Sequence, residues 1–143
     1  NTRTFERATA MALLLLLLLI VLPTAGWYWA RRYLPKHRWL VTGALFGAIV
    51  SPLSMGLYST YFIPIPYIGL VPGMVGLSSS LFHGPAGFRL AQELGLLIPG
   101  HVVEGIHRVY VDLLNALVWA PVYGLGGGII DRIRNKRSAE AAL

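Results

Sequence analysis

Apolar residues in this chain form long uninterrupted segments, and short clusters of arginine and lysine separate them. The first segment, residues 8–30, contains seven consecutive leucines and no charged residue, and it ends at Arg31 and Arg32. As a helix at roughly 1.5 Å per residue it is about 34 Å long, more than the roughly 30 Å hydrocarbon core of a bilayer. The pattern therefore predicts a membrane-spanning helix.

This first segment also has the features of a cleaved signal peptide, because Arg3 and Arg7 precede its leucine core. However, it is longer than a usual signal-peptide core, and the aromatic residues 27–29 lie one residue before the arginines. Aromatic residues next to arginines are typical of a membrane interface. We therefore expect a retained anchor, with cleavage as the alternative.

Two further segments are long and apolar enough to span, at residues 39–60 and 109–130. Prolines are expected to disturb both, with Pro52 kinking the first and Pro121 interrupting the second. Glycines at helical spacing predict close helix packing in the same segments, either within the chain or against a partner. The glycines concerned are Gly43, Gly47, Gly124, Gly126, Gly127 and Gly128.

The region between these two segments, residues 63–108, is apolar but broken by prolines and glycines. Pro72 and Gly73 predict a turn, and the sequence His83-Gly84-Pro85 predicts the end of a helix. Residues 86–98 then predict a short amphipathic helix that cannot span. We expect this region to be re-entrant or interfacial.

The distribution of basic residues predicts how the chain is oriented. Residues 31–38 and the tail, residues 131–143, each carry four lysines or arginines, whereas residues 58–108 carry two. The positive-inside rule places both basic clusters in the cytoplasm. The predicted fold is thus an all-α integral membrane protein with three spans, an external N-terminus and a cytoplasmic C-terminus, with four or five spans as the alternative.

Composition agrees with one membrane domain over residues 1–143, because 55% of the residues are hydrophobic and only 13% are charged. The net charge of +6 comes from residues that flank apolar segments, so we expect a lipid bilayer as partner rather than nucleic acid. The chain has no cysteine, which excludes disulfides and thiolate chemistry. Its leucine-, alanine-, glycine- and arginine-rich usage suggests a bacterial inner membrane.

One polar stripe stands out at the start of the last segment. Steps of three and four residues place its members on one side of a helix: they are His101, Glu104, Arg108, Asp112 and Asn115. Polar residues at membrane depth usually face protein or water and often carry function. The alternative is that the helix protrudes and the stripe is a solvated or partner-facing surface.

No cofactor is predicted, although a metal or a tetrapyrrole is the alternative. Residues 104–107 fit the Glu-x-x-His pattern of carboxylate-bridged metal sites in a single copy. The weak candidate ligands are His83, His101, Glu104 and His107. No catalytic motif occurs, and the glycine-rich residues 124–128 lack the Lys-Ser/Thr of a phosphate-binding loop.

These features lead to three functional hypotheses. The first is a non-catalytic membrane subunit that packs against and stabilises a larger complex of integral membrane proteins. The second is a small channel or transporter whose polar path follows Asp112, Asn115 and residues 78–80. The third is a redox protein that binds a metal or a tetrapyrrole.

Overall fold

The computed structural model describes residues 17, 20–62, 67, 69–98, 100 and 102–141. Regular structure in these ranges is helical throughout, which confirms the all-α prediction for this part of the chain. The helices are α1 (residues 20–33), α2 (Arg38–Ser59), α3 (Leu70–Glu93) and α4 (Gly105–Glu140). A 3₁₀ turn, Thr60–Phe62, extends α2. Most of the leucine run lies outside the described residues, so the first span stays a prediction.

Two helices in the described ranges are long and apolar enough to cross a membrane, Arg38–Phe62 and Gly105–Glu140. Only 22% and 17% of their apolar windows are buried inside the protein. The core helix of a soluble protein would be mostly buried. Helix α4 exposes large apolar side chains along its length, and α2 exposes Leu40 and Leu45, which suits lipid as the surrounding solvent.

Helices α2 and α4 pack antiparallel because glycines let their backbones approach closely. Gly43 lies against the Tyr123 carbonyl, Gly47 against that of Trp119, and Gly127 against that of Trp39. A methyl group at any of these three positions would overlap the facing backbone. Small residues allow the same close approach in membrane helix pairs generally.

The other predicted packing glycines are arranged differently. Gly124 and Gly128 also face α2, where they lie near Ala44 and Leu40. Gly126 points away, and an added Cβ there would meet nothing within 4 Å. The glycines at the α2–α4 contact are thus used within this chain.

The start of α2 and the end of α4 are joined at one end of the bundle. Asp131 Oδ2 accepts hydrogen bonds from the backbone N–H groups of Trp39 and Leu40, each at 2.9 Å. Arg134 and Asn135 donate to the carbonyls of Pro35 and Lys36 at 3.3 and 3.1 Å. The two basic clusters of the sequence therefore lie at the same end of the α2–α4 pair.

Helix α3 begins and ends at the opposite end of that pair. Its first half runs down α2, since Gly73 lies against Tyr61 and Gly76 against Leu57. Its second half runs back along α4: Gly87 lies against Val111 and Asn115. Beyond the helix, the Leu96 carbonyl accepts a hydrogen bond from His107 at 2.9 Å. Because α2 and α4 are antiparallel, α3 must change direction between its two halves.

Several predictions about breaks in the helices were wrong. Residues 70–93 form one helix in place of a turn at Pro72-Gly73, an end at His83-Gly84-Pro85 and a separate helix over 86–98. Pro72 lies in the first turn of α3, where its missing N–H has no intrahelical partner to lose. Pro121 did not interrupt the last segment either: it lies inside α4, and the helix continues past it. Neighbouring helices can satisfy the backbone groups that an internal proline frees, so such helices bend without ending.

Candidate functional site

A buried polar network occupies the contact between α2, α3 and α4, and Asn115 is its centre. The Asn115 side chain is 1% exposed. Its Oδ1 accepts from the Gly87 backbone N–H at 2.7 Å, and its Nδ2 donates to Ser51 Oγ at 3.1 Å and to the Gly84 carbonyl at 3.4 Å. One amide therefore ties α4 to both other helices.

The same contacts explain how α3 bends at Pro85 without leaving backbone groups unpaired on its inner side. Proline lacks the N–H that would bond the Leu81 carbonyl, and its ring strains the preceding turn. Side chains of α4 hydrogen-bond the backbone around the bend. Asn115 binds the Gly84 carbonyl and the Gly87 N–H, and Trp119 Nε1 donates to the His83 carbonyl at 3.0 Å. The inner face of the bend is thus held by side-chain hydrogen bonds.

Asp112 and Arg108 bring charge to the edge of this network. Ser51 Oγ donates to Asp112 Oδ1 at 2.8 Å, while Arg108 bonds both oxygens of Asp112 at 3.2 Å. The Asp112 side chain is 23% exposed and the Arg108 side chain is 31% exposed. The pair is therefore neutralised within α4 and connected through Ser51 to Asn115.

His83 forms a second arm of the network. Its ring is surrounded by aromatic side chains, with the Trp119 ring centroid 4.8 Å away. Nδ1 lies 2.9 Å from the Ser79 carbonyl, and Nε2 lies 2.7 Å from the Tyr123 hydroxyl. A carbonyl only accepts, so a neutral imidazole with its proton on Nδ1 satisfies both contacts, with the Tyr123 O–H donating to Nε2. Ser79 Oγ in turn contacts Ser54 Oγ at 2.6 Å.

The chemistry open to this arm is limited by these hydrogen bonds. Ser79 Oγ is 3.1 Å from His83 Nδ1, the spacing of a serine and its general base. However, Nδ1 carries the proton when it donates to the Ser79 carbonyl, so it cannot deprotonate that hydroxyl. Tyr123, rather than a carboxylate, contacts the other nitrogen. The arm thus lacks the orienting acid of a catalytic triad.

The predicted stripe falls into two parts. Arg108, Asp112 and Asn115 lie on α4 and join the network. Glu104 is exposed and precedes the first residue of α4, Gly105, so it does not share that helical face. His101 lies outside the described residues. The prediction of one continuous helical stripe from residue 101 was therefore wrong, because the helix starts later.

The candidate ligands are likewise separated. His107 Nδ1 bonds the Leu96 carbonyl, and His83 has hydrogen-bond partners at both ring nitrogens. Among the described residues, no group of three or more histidines, aspartates or glutamates could hold a metal ion. A tetrapyrrole ligand at His83 would require loss of the Tyr123 contact.

Several members of the network were not singled out in the sequence. Ser54, Trp119 and Tyr123 have no motif around them, and only the partners that they contact reveal their role. Ser51 continues the face of Gly43 and Gly47 on α2 at four-residue spacing, which is the one signal that pointed toward it.

The chain matches no protein-family model, no curated protein and no solved structure.

Proposed function

We propose that this protein is a non-catalytic integral membrane subunit that packs against a larger membrane complex and stabilises it. In this proposal, residues 8–30, α2 and α4 cross the bilayer, with the N-terminus outside. Helix α3 is re-entrant from the outer side. The basic clusters lie in the cytoplasm, and the membrane is the inner membrane of a bacterium.

The outward face of the α3 bend supports this proposal best. Leu81 and Phe82 are 69% and 65% exposed, and Gly84 has no atom within 4 Å of an added Cβ. Pro85 cannot pair the Leu81 carbonyl, and an unpaired carbonyl facing hydrocarbon costs several kcal/mol. A helix from another integral membrane protein would cover this face and exclude lipid from the bend.

The partner surface in this proposal is the outer face of α3, not the glycine faces of α2 and α4. Gly43 and Gly47 of α2 and three of the glycines of α4, Gly124, Gly127 and Gly128, already lie against the facing helix of this chain. Gly84, beside Pro85, is by contrast an open small residue on the outer face of α3.

Co-purification in a mild detergent, followed by mass spectrometry, tests the proposal. We expect a stoichiometric membrane partner with the wild type and its loss with Gly84→Leu, since a side chain added on this open face has no atom of this chain within 4 Å of its Cβ. Gly126→Leu is the matched control, because a Cβ added at this position also meets no atom within 4 Å. A wild-type chain that purifies alone and monodisperse would overturn the proposal.

A second candidate function is a small channel or transporter, and the connected polar groups favour it. Ionisable residues inside membranes commonly mark ion or proton pathways. Asp112, Ser51 and Asn115 form a hydrogen-bonded series next to the bend of α3. Flux in liposomes tests this function: Asp112→Asn should alter it, and no flux with the wild type would exclude it.

A further inference from the structure

A groove opens between the start of α2 and the end of α4, at the basic end of the bundle. Its volume is about 510 Å³. Its walls have two kinds of lining: Lys36 and Arg132 supply positive charge, while Leu40, Leu125 and Ile129 supply apolar surface. These three apolar side chains are 40%, 70% and 61% exposed, so they offer a surface that no part of the described chain covers.

We propose that this groove binds one anionic phospholipid. Lys36 and Arg132 would contact the phosphate, and the acyl chains would lie along Leu125 and Ile129. Basic pockets between membrane helices on the cytoplasmic side recognise anionic head groups in this way. The inference rests on the membrane placement proposed above, and it is independent of the protein partner.

Charge complementarity selects an anionic lipid over a neutral one. Lys36, Arg38, Arg132 and Arg134 all lie around this end, whereas the carboxylates described there are Asp131 and Glu140, and Glu140 is paired with Lys136. Asp131 also lines the groove, but it is 2% exposed and its Oδ2 binds the first backbone N–H groups of α2. The positive end of the helix dipole therefore offsets its charge, and the surface of the groove stays basic.

Gly128 keeps the groove open. It lies in the lining, and an added Cβ would be 3.3 Å from Leu40 Cδ1, the end of a flexible side chain. A leucine at this position would occupy the groove, and it would meet the Leu40 side chain rather than the backbone of α2. The variant Gly128→Leu thus removes the space while keeping every charge.

Native mass spectrometry of the purified chain, titrated with phosphatidylglycerol and with phosphatidylcholine of the same acyl chains, tests the inference. We expect wild type to retain phosphatidylglycerol preferentially. The double variant Lys36→Ala/Arg132→Ala should weaken that binding at least about tenfold, since each cation near an anionic surface contributes about 1 kcal/mol. Gly128→Leu should weaken it as well.

The matched control is Lys136→Ala/Arg137→Ala, which removes the same charge from exposed tail residues outside the groove lining. An equal loss in this control, or equal binding of phosphatidylcholine, overturns the inference. Inorganic phosphate is the competitor: full displacement of the lipid, together with no effect of Gly128→Leu, identifies a free-anion site and also overturns it.

Alkaline carbonate extraction of membranes separates the two levels of the proposal. If the protein is washed off, the membrane placement is wrong and the lipid inference falls with it. If the protein stays in the membrane but shows no lipid preference, only the lipid inference is wrong.

Discussion

Asp131 and Trp39 lie 92 residues apart in the chain, yet the Asp131 carboxylate accepts the Trp39 backbone N–H at 2.9 Å. It accepts the N–H of Leu40 at the same distance. His37, the residue that precedes α2, forms no capping hydrogen bond with its side chain. A residue near the end of α4 therefore performs the capping that a serine or aspartate before α2 would usually perform.

This relationship predicts that Asp131→Ala destabilises the protein by about 1–2 kcal/mol, the usual cost of removing a cap. Asp131→Asn should retain most of the stability, because its amide oxygen still accepts from the two N–H groups. Unfolding in mixed micelles of dodecyl sulfate and a mild detergent measures both. If alanine is tolerated as well as asparagine, the carboxylate is not a cap.

The glycine contacts predict opposite effects for two otherwise identical substitutions. Gly47→Ala should lower the free energy of unfolding by about 1–3 kcal/mol, because the methyl group overlaps the backbone of α4 at Trp119. Gly126→Ala should raise it by up to about 1 kcal/mol, since alanine favours helix and meets no neighbour there. The same micelle unfolding assay measures both, and a stabilised Gly47→Ala would contradict the packing of α2 against α4.

The Asn115 amide predicts coupling between two side chains on different helices. Asn115→Ala should cost about 1–3 kcal/mol, because it leaves the buried Gly87 N–H without its acceptor. A double-mutant cycle with Ser51→Ala should give a coupling energy of about 0.6 kcal/mol or more, as for hydrogen bonds between membrane helices. Additive effects would show that the Ser51–Asn115 hydrogen bond contributes nothing.

Cysteine labelling tests the orientation, and the absence of native cysteine makes single-cysteine variants straightforward. Leu34→Cys and Ser138→Cys should react with an impermeant maleimide from the same side of sealed vesicles, since both positions flank the joined ends of α2 and α4. Gln92→Cys, at the exposed end of α3, should react from the other side. Labelling of all three from one side would refute the proposed topology.

The structural features that depend on the local residue pattern were predicted from the sequence. The charge-free residues 39–62 identified α2, and the glycine spacing at Gly43 and Gly47 identified a face that packs closely. Lysine and arginine counts also placed residues 31–38 and the basic residues after 130 at one end, where Asp131 joins the two helices; the structure shows these later residues as the last turns of α4 rather than a tail. Each of these signals lies within a few residues of the feature that it predicts.

The bend of α3 and the environment of His83 depend on contacts between distant residues, which a single sequence does not reveal. Pro85 predicts a helix end when considered alone, whereas Asn115 and Trp119 supply the hydrogen bonds that let α3 continue through the bend. His83 likewise has no sequence motif, and its environment is set by Tyr123, 40 residues away. The helical stripe was predicted to start too early, because the polar spacing includes Glu104, which precedes the first residue of α4.

The cap that Asp131 provides has a consequence for synthesis. The ribosome completes α2 long before it reaches residue 131, so the first turn of that helix emerges with its N–H groups bonded only to water or lipid head groups. Its final structure waits until residue 131 has been translated and inserted. Polypeptides truncated before Asp131 should therefore be recognised as incomplete and degraded, even though they already contain most of their apolar residues.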